Sequence, residues 1–134
     1  MHKDVLSKAV ALARNLGHVL LATTGPDGVP HLAAAGTIAA PDEHHLAVSD
    51  WFCPGTLDNL DHQRHIAIVV WDAPADHGWQ LIGEVEQVRD TAVMDGYEGP
   101  DKPVATLPQV RQQLLVRVDK VLRFTAAPHS DIQE

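Results

Sequence analysis

The sequence predicts a mainly β fold: a small antiparallel barrel of six strands with two or three short helices. Three observations carry that expectation. Six strand-like stretches follow one another at short spacing, separated by turns rich in Gly, Pro and Asp. The clearest helical periodicity lies at the N-terminus. The 134 residues, 45% of them hydrophobic, suit one domain around one core. Residues 1–134 therefore read as a helix, a barrel over about 18–124 and a polar tail at 126–134, with no internal repeat or linker.

The helix is expected over residues 4–16, where Val5, Leu6, Ala9, Val10, Leu12, Ala13 and Leu16 recur at three- and four-residue spacing. Asp4 or Ser7 can start it, and Gly17 is a natural left-handed stop. A strand over 18–24 leads into Gly25-Pro-Asp-Gly28, where Pro pre-sets φ and Gly accepts a positive φ, so the turn closes a hairpin. The next strand is expected over about 29–40. It is rich in Ala and contains Gly36, so another group can approach its backbone closely. Pro41-Asp-Glu turns the chain into a third strand at 45–49.

Residues 56–64 read as a short helix with Thr56 as N-cap and Asp58 and Asp61 near its positive end. Residues 66–71 are apolar on both faces and read as a central strand. A loop at 73–78 precedes a fifth strand over 79–89. Gly96, Gly99, Pro100, Pro103 and Pro108 predict a short helix and an irregular connection over 91–108. A sixth strand spans 112–124, and the polar tail beyond Ala126 is expected to be mobile.

Composition narrows the function. A formal net charge of −8 argues against nonspecific binding to nucleic acid or to an anionic membrane. No apolar run approaches the ~20 residues of a spanning helix, and the N-terminal segment carries Asp4, Lys8 and Arg14 rather than a leader pattern. The single cysteine, Cys53, excludes an intrachain disulfide framework and fits a reducing compartment, so a cytoplasmic location is expected.

Several residues have the chemistry to form a site. A turn that feeds a helix N-terminus presents free N–H groups to an anion, and Pro54-Gly55-Thr56 occupies such a turn; an ordinary capped helix explains the same residues. Ala34, Ala35, Gly36 and Thr37 leave room beside their strand, either for a ligand or for a closely packed helix. Gln80 is a ligand contact or a solvated side chain. Trp51 and Phe52 can stack on a planar ligand or anchor the turn. Ser49 and Asp50 are polar neighbours, and Asp50 is expected to cap the turn. His62-Gln-Arg-His65 and His44-His45 group imidazoles, but no metal-ligand spacing accompanies them, so no metal residue is assigned. No side chain stands out as a catalytic acid, base or nucleophile.

The order of these pieces resembles the flavin mononucleotide (FMN)-binding split barrels related to pyridoxamine 5'-phosphate oxidase. His18-Val-Leu-Leu-Ala-Thr-Thr24, the Gly25-Pro-Asp-Gly28 turn, Gly55-Thr-Leu-Asp-Asn-Leu60 and Gly78-Trp-Gln-Leu-Ile-Gly83 carry the resemblance, which covers roughly residues 5–125. It implies a split β-barrel, an FMN cofactor, oxidoreductase activity toward a small-molecule substrate, and a homodimer with cofactor sites at the interface. It further implies that the backbone of Cys53, Pro54, Gly55 and Thr56, with Asn59, holds the flavin phosphate. Ala34, Ala35, Gly36, Thr37 and Gln80 would then face the ring, with Ser49 as a polar neighbour of the cofactor site, and Trp51 would cover it.

The chain departs from the family pattern at two basic residues, where Gly55 and Ile82 stand. A lost charge-assisted contact of roughly 1.5–3 kcal/mol lowers affinity by about one to two decades unless another cation replaces it; Arg14, Arg64 or a partner's lysine are candidates. Those departures motivate an alternative, a non-enzymatic split-barrel protein that binds a deazaflavin, haem or no cofactor. A weaker alternative is a histidine-rich metal-binding protein.

Overall fold

A computed structural model describes residues 3–50, 52, 54–94, 109–128 and 133–134. Two helices and seven strands make up the described fold: α1 Lys3–Leu16, β1 Val19–Thr24, β2 Pro30–Ala35, β3 Thr37–Ala39, β4 His45–Asp50, α2 Pro54–His62, β5 His65–Asp72, β6 His77–Met94 and β7 Gln109–Arg123. The strands form one antiparallel sheet in the order β2-β1-β5-β6-β7-β4-β3, curled into a half-barrel. The mainly β, split-barrel architecture expected from the sequence is therefore present.

The long β6–β7 pair explains the split. β5 pairs with residues 77–84 of β6, whereas β4 pairs with residues 112–117 of β7. The two halves, β2-β1-β5 and β3-β4, thus attach at offset positions along one hairpin. Register shifts at Ile82/Gly83, Val85/Gln87 and Asp90/Ala92 mark bulges that bend this hairpin and turn the sheet around the core. Gly83 sits at the first bulge, where a Cβ would collide with the Arg117 carbonyl of β7; only glycine lets the strands approach so closely there.

One expected strand, 29–40, is interrupted. At Gly36 the chain leaves β2 on one edge of the sheet and enters β3 on the other. The Gly36 N–H donates to the Asp50 carboxylate instead of to a neighbouring strand, which fixes the crossing point. Alternation of side chains could not show this break, because the Ala-rich sequence has almost no pattern to interrupt. Asp50 therefore secures the crossover.

Helix α1 plugs the half-barrel with the buried side chains Leu6, Ala9, Val10 and Ala13, packing on β3, β5 and β6. Facing it are Val19, Leu21, Ile38, Leu46, Val48, Ile68, Leu81, Leu114 and Val116. Gly17, with φ of 82°, ends α1, and Gly28, with φ of 81°, completes the β1–β2 turn. Helix α2 begins two residues earlier than expected, with Pro54 as its first residue, a position suited to proline. Thr56 accordingly lies inside the first turn, buried, and is not the N-cap.

The C-terminus also departs from expectation. Gln133 bridges to Leu122, the Glu134 N–H donates to the Val121 carbonyl at 2.8 Å, and Arg123 pairs with Glu134 at 3.4 Å. Asp76 accepts hydrogen bonds from Trp71 Nε1, Ala126 N and Ala127 N. These contacts tie the end of the tail to β7 where β4 no longer covers it. The predicted short helix and irregular connection of 91–108 are replaced by β6 as far as Met94; residues 95–108 lie outside the described residues.

Candidate cofactor-binding site

An open cleft of about 690 Å³ lies between the β1–β2 turn and α2. Gly25, Pro26, Asp27, Val29, Pro30 and His31 line it from the hairpin, and Gly55, Asp58, Asn59 and His62 from the helix. The turn is well built. Gly28 N donates to the Gly25 carbonyl at 2.9 Å, Gly25 N to the Val29 carbonyl at 3.1 Å, and Val29 N to Asp27 Oδ1 at 3.2 Å. The helix is docked on β1 through Asn59, whose Nδ2 donates to Thr23 Oγ1 at 3.1 Å. Thr23 is buried, so this bond satisfies a hydroxyl that water cannot reach.

His31 is the residue that sequence reasoning missed. Strand pairing sets it opposite Thr23, which puts both on the inner face of the edge strand pair beneath α2. Its ring stands against Gly55: a Cβ at that position would lie 3.0 Å from His31 Nε2. The imidazole and the glycine are therefore complementary, and a side chain at residue 55 would compete with the ring for one space. Among the described residues, His31 Nδ1 is itself buried without a hydrogen-bond partner. The signal available in the sequence was a histidine on the inward register of an otherwise small-residue strand, directly after the turn.

Of the residues expected to bind a cofactor, Gly55 and Asn59 line this cleft. Pro54 and Thr56 belong to the same first turn of α2, but neither lines the cleft. Neither Arg14 nor Arg64 lines it. Trp51 and Cys53 lie outside the described residues.

The remaining expected residues lie elsewhere. Ala34 and Gln80 share the outer face, in one row that runs Ala34, Leu20, Val69, Gln80, Leu122 across five strands. Three strand spacings, about 14 Å, separate Ala34 from Gln80. Ala35 points inward and is buried, whereas Gly36 and Thr37 are exposed at the crossover. Thr37 pairs with Ser49, whose Oγ accepts from Gln113 Nε2 at 3.3 Å. Strand β2 connects the two places: His31 marks the cleft end and Ala34–Gly36 the crossover end, about 10–16 Å along the strand. Next to the Gln80 row, Lys120 pairs directly with Ile82, so a cation stands beside the position where the family pattern expects one.

A second polar cluster covers the outer face of β4, β6 and β7. His45 Nδ1 donates to Asp42 at 2.9 Å and its Nε2 donates to Glu86 at 2.7 Å. Arg117 reaches Asp119, Glu84 and Glu86 at 2.9, 3.1 and 3.4 Å. The hydrogen bond to Asp42, assisted by Glu86, raises the His45 pKa. The His44 backbone N–H and the His45 ring lower that of Asp42, and Arg117 lowers that of Asp119. Among the described residues, no three His, Cys, Asp or Glu side chains converge to hold a metal ion.

Comparison with known proteins follows the fold. The family model described as pyridoxamine 5'-phosphate oxidase matches residues 6–121. No curated protein matches the chain. An FMN-binding protein from Syntrophomonas wolfei is similar in structure, with a TM-score of 0.62 at 15% identity over 94% of this chain and 90% of that one. A pyridoxamine 5'-phosphate oxidase-related, FMN-binding protein from Nostoc punctiforme has a TM-score of 0.63 at 14% identity over 94% and 85%. An F420 reductase has a TM-score of 0.57 at 21% identity over 83% and 93%. At these identities the structural likeness is one of fold.

Proposed function

The chain belongs to the pyridoxamine 5'-phosphate oxidase family, and from that premise we propose that it binds FMN and acts as an oxidoreductase on a small-molecule substrate. The observation that carries this reading is the cleft where the β1–β2 turn meets the first turn of α2. Gly55, Asp58, Asn59 and His62 bring α2 to one wall, and the start of that helix carries a partial positive charge that favours an anion. That arrangement fits the phosphate end of a flavin nucleotide.

When bound, the flavin supplies the redox chemistry. The chain's own residues bind and orient. Residues 53–56 would meet the phosphate through backbone groups, while Asn59 holds α2 against Thr23 and so fixes the helix end. Ala34–Thr37, Ser49 and Gln80 would border the ring, and Trp51 would cover it. Lys120 would supply a cation on the face of Gln80. The exposed apolar side chains Leu20, Val29 and Leu32 on the β1–β2 edge support a homodimer that covers them. A cytoplasmic location accords with the single cysteine; among the described residues no helix is long and apolar enough to cross a membrane.

Titration of the purified protein with FMN, followed by flavin absorbance and fluorescence, tests the proposal. Saturable binding at micromolar concentration is expected. Failure to bind added FMN contradicts it. The likeness to an F420 reductase favours one second reading, a deazaflavin cofactor, and binding of F420 in preference to FMN would select it.

A further inference from the structure

We infer that His31 takes the place of the basic side chain that Gly55 lacks, so that the cleft takes a phosphate monoester. The inference rests on the reading of the cleft as the phosphate end of the cofactor site, but it concerns residues that the family pattern does not assign.

Three features combine. First, the His31 ring fills the space that a side chain at residue 55 would need, with Nε2 3.0 Å from the position of a Cβ there. The loss of a basic side chain and the presence of an imidazole are thus one steric solution. Second, among the described residues His31 Nδ1 is buried with no partner, so the fold leaves the bonding of this ring incomplete. Third, the ring lies at the cleft wall beside the first turn of α2, where the helix already favours an anion.

The other charged groups around the cleft make the imidazole necessary. Asp27 from the turn and Asp58 from α2 line the cleft and oppose an anion, while His62 lines it as a second imidazole. His62 Nδ1 donates to the Asp58 carbonyl at 2.9 Å, which turns that ring along its own helix. Asp50 of β4 is engaged at the far end of β2, with Gly36. Two carboxylates must therefore be offset, and the two imidazoles are the side chains placed to do it.

The test compares FMN with riboflavin, which has the same ring system and no phosphate. Their affinities are measured in the full chain, H31Q and H62Q, and the rise in Tm with inorganic phosphate is measured in parallel. The inference expects FMN to bind more tightly than riboflavin. H31Q should lose roughly 10- to 100-fold in FMN affinity and leave riboflavin unchanged. H62Q should have a smaller effect. FMN binding that H31Q leaves intact overturns the inference and spares the flavin proposal. If neither flavin binds but phosphate raises Tm in the full chain and not in H31Q, the inference holds for another phosphate monoester and the flavin proposal fails. If neither flavin nor phosphate binds, both fail.

Discussion

Two histidines of this chain sit among acidic neighbours and do opposite things. His45, on the outer face of β4, has both ring nitrogens committed to carboxylates, Asp42 and Glu86. His31, on the inner face of β2, has a buried Nδ1 with no partner and a ring set against a glycine in an open cleft. Its two carboxylate neighbours raise the His45 pKa and take up both ring nitrogens within the fold. His31 spends nothing on the fold. A polar group whose bonding is complete is structural; one that is desolvated and unpaired beside a cleft is available to a ligand.

The strongest way to break the structural side of this comparison is Gly83→Ala. The added methyl would meet the Arg117 backbone carbonyl beneath the His45–Arg117 cluster. A loss of roughly 1–3 kcal/mol or more is expected from such overpacking, measured by urea denaturation, and the variant marks what damage to the fold alone does to binding. Next comes His31→Leu. It removes an unpartnered buried nitrogen, so stability should stay level or rise by up to about 1 kcal/mol while FMN affinity drops. A large loss of stability would show that His31 holds the fold together after all.

Asn59→Ala sharpens the comparison from within the cleft. It removes the donor to the buried Thr23 hydroxyl, at a cost of about 1–2 kcal/mol, and loosens the helix end that faces the ligand. Denaturation and FMN titration should therefore both respond, unlike for His31. The smallest effect belongs to His45→Gln. The folded-state pKa of His45 is raised. Its contribution is therefore complete below the ordinary imidazole value near ~6.5 and fades as pH rises through the raised value. The unsubstituted chain should lose a little stability between pH 6 and pH 9, seen in the denaturation midpoint, and His45→Gln should flatten that slope without touching FMN affinity.

Much of the fold was legible from the chain. The spacing of Leu6, Ala9 and Ala13 marks α1, and Gly25-Pro-Asp-Gly28 marks the first hairpin, because periodicity and turn chemistry are local properties. The crossover at Gly36 was not legible. It depends on Asp50, 14 residues away, accepting from a backbone N–H, and on two edges meeting in space. The site divides the same way. Gly55 and Asn59 could be picked out from a short motif, whereas His31 joins them only because pairing sets residue 31 against residue 23 under α2. Lys120 is likewise brought beside Ile82 by register across β6 and β7.

The central claim is that the cleft at His31 receives the phosphate of the cofactor. The most direct measurement is the ¹⁵N ring spectrum of the histidines with and without FMN. The account predicts that the His31 ring nitrogens shift on adding FMN, move little with riboflavin, and that those of His45 stay where they are. FMN that binds while the His31 signals remain fixed would contradict it.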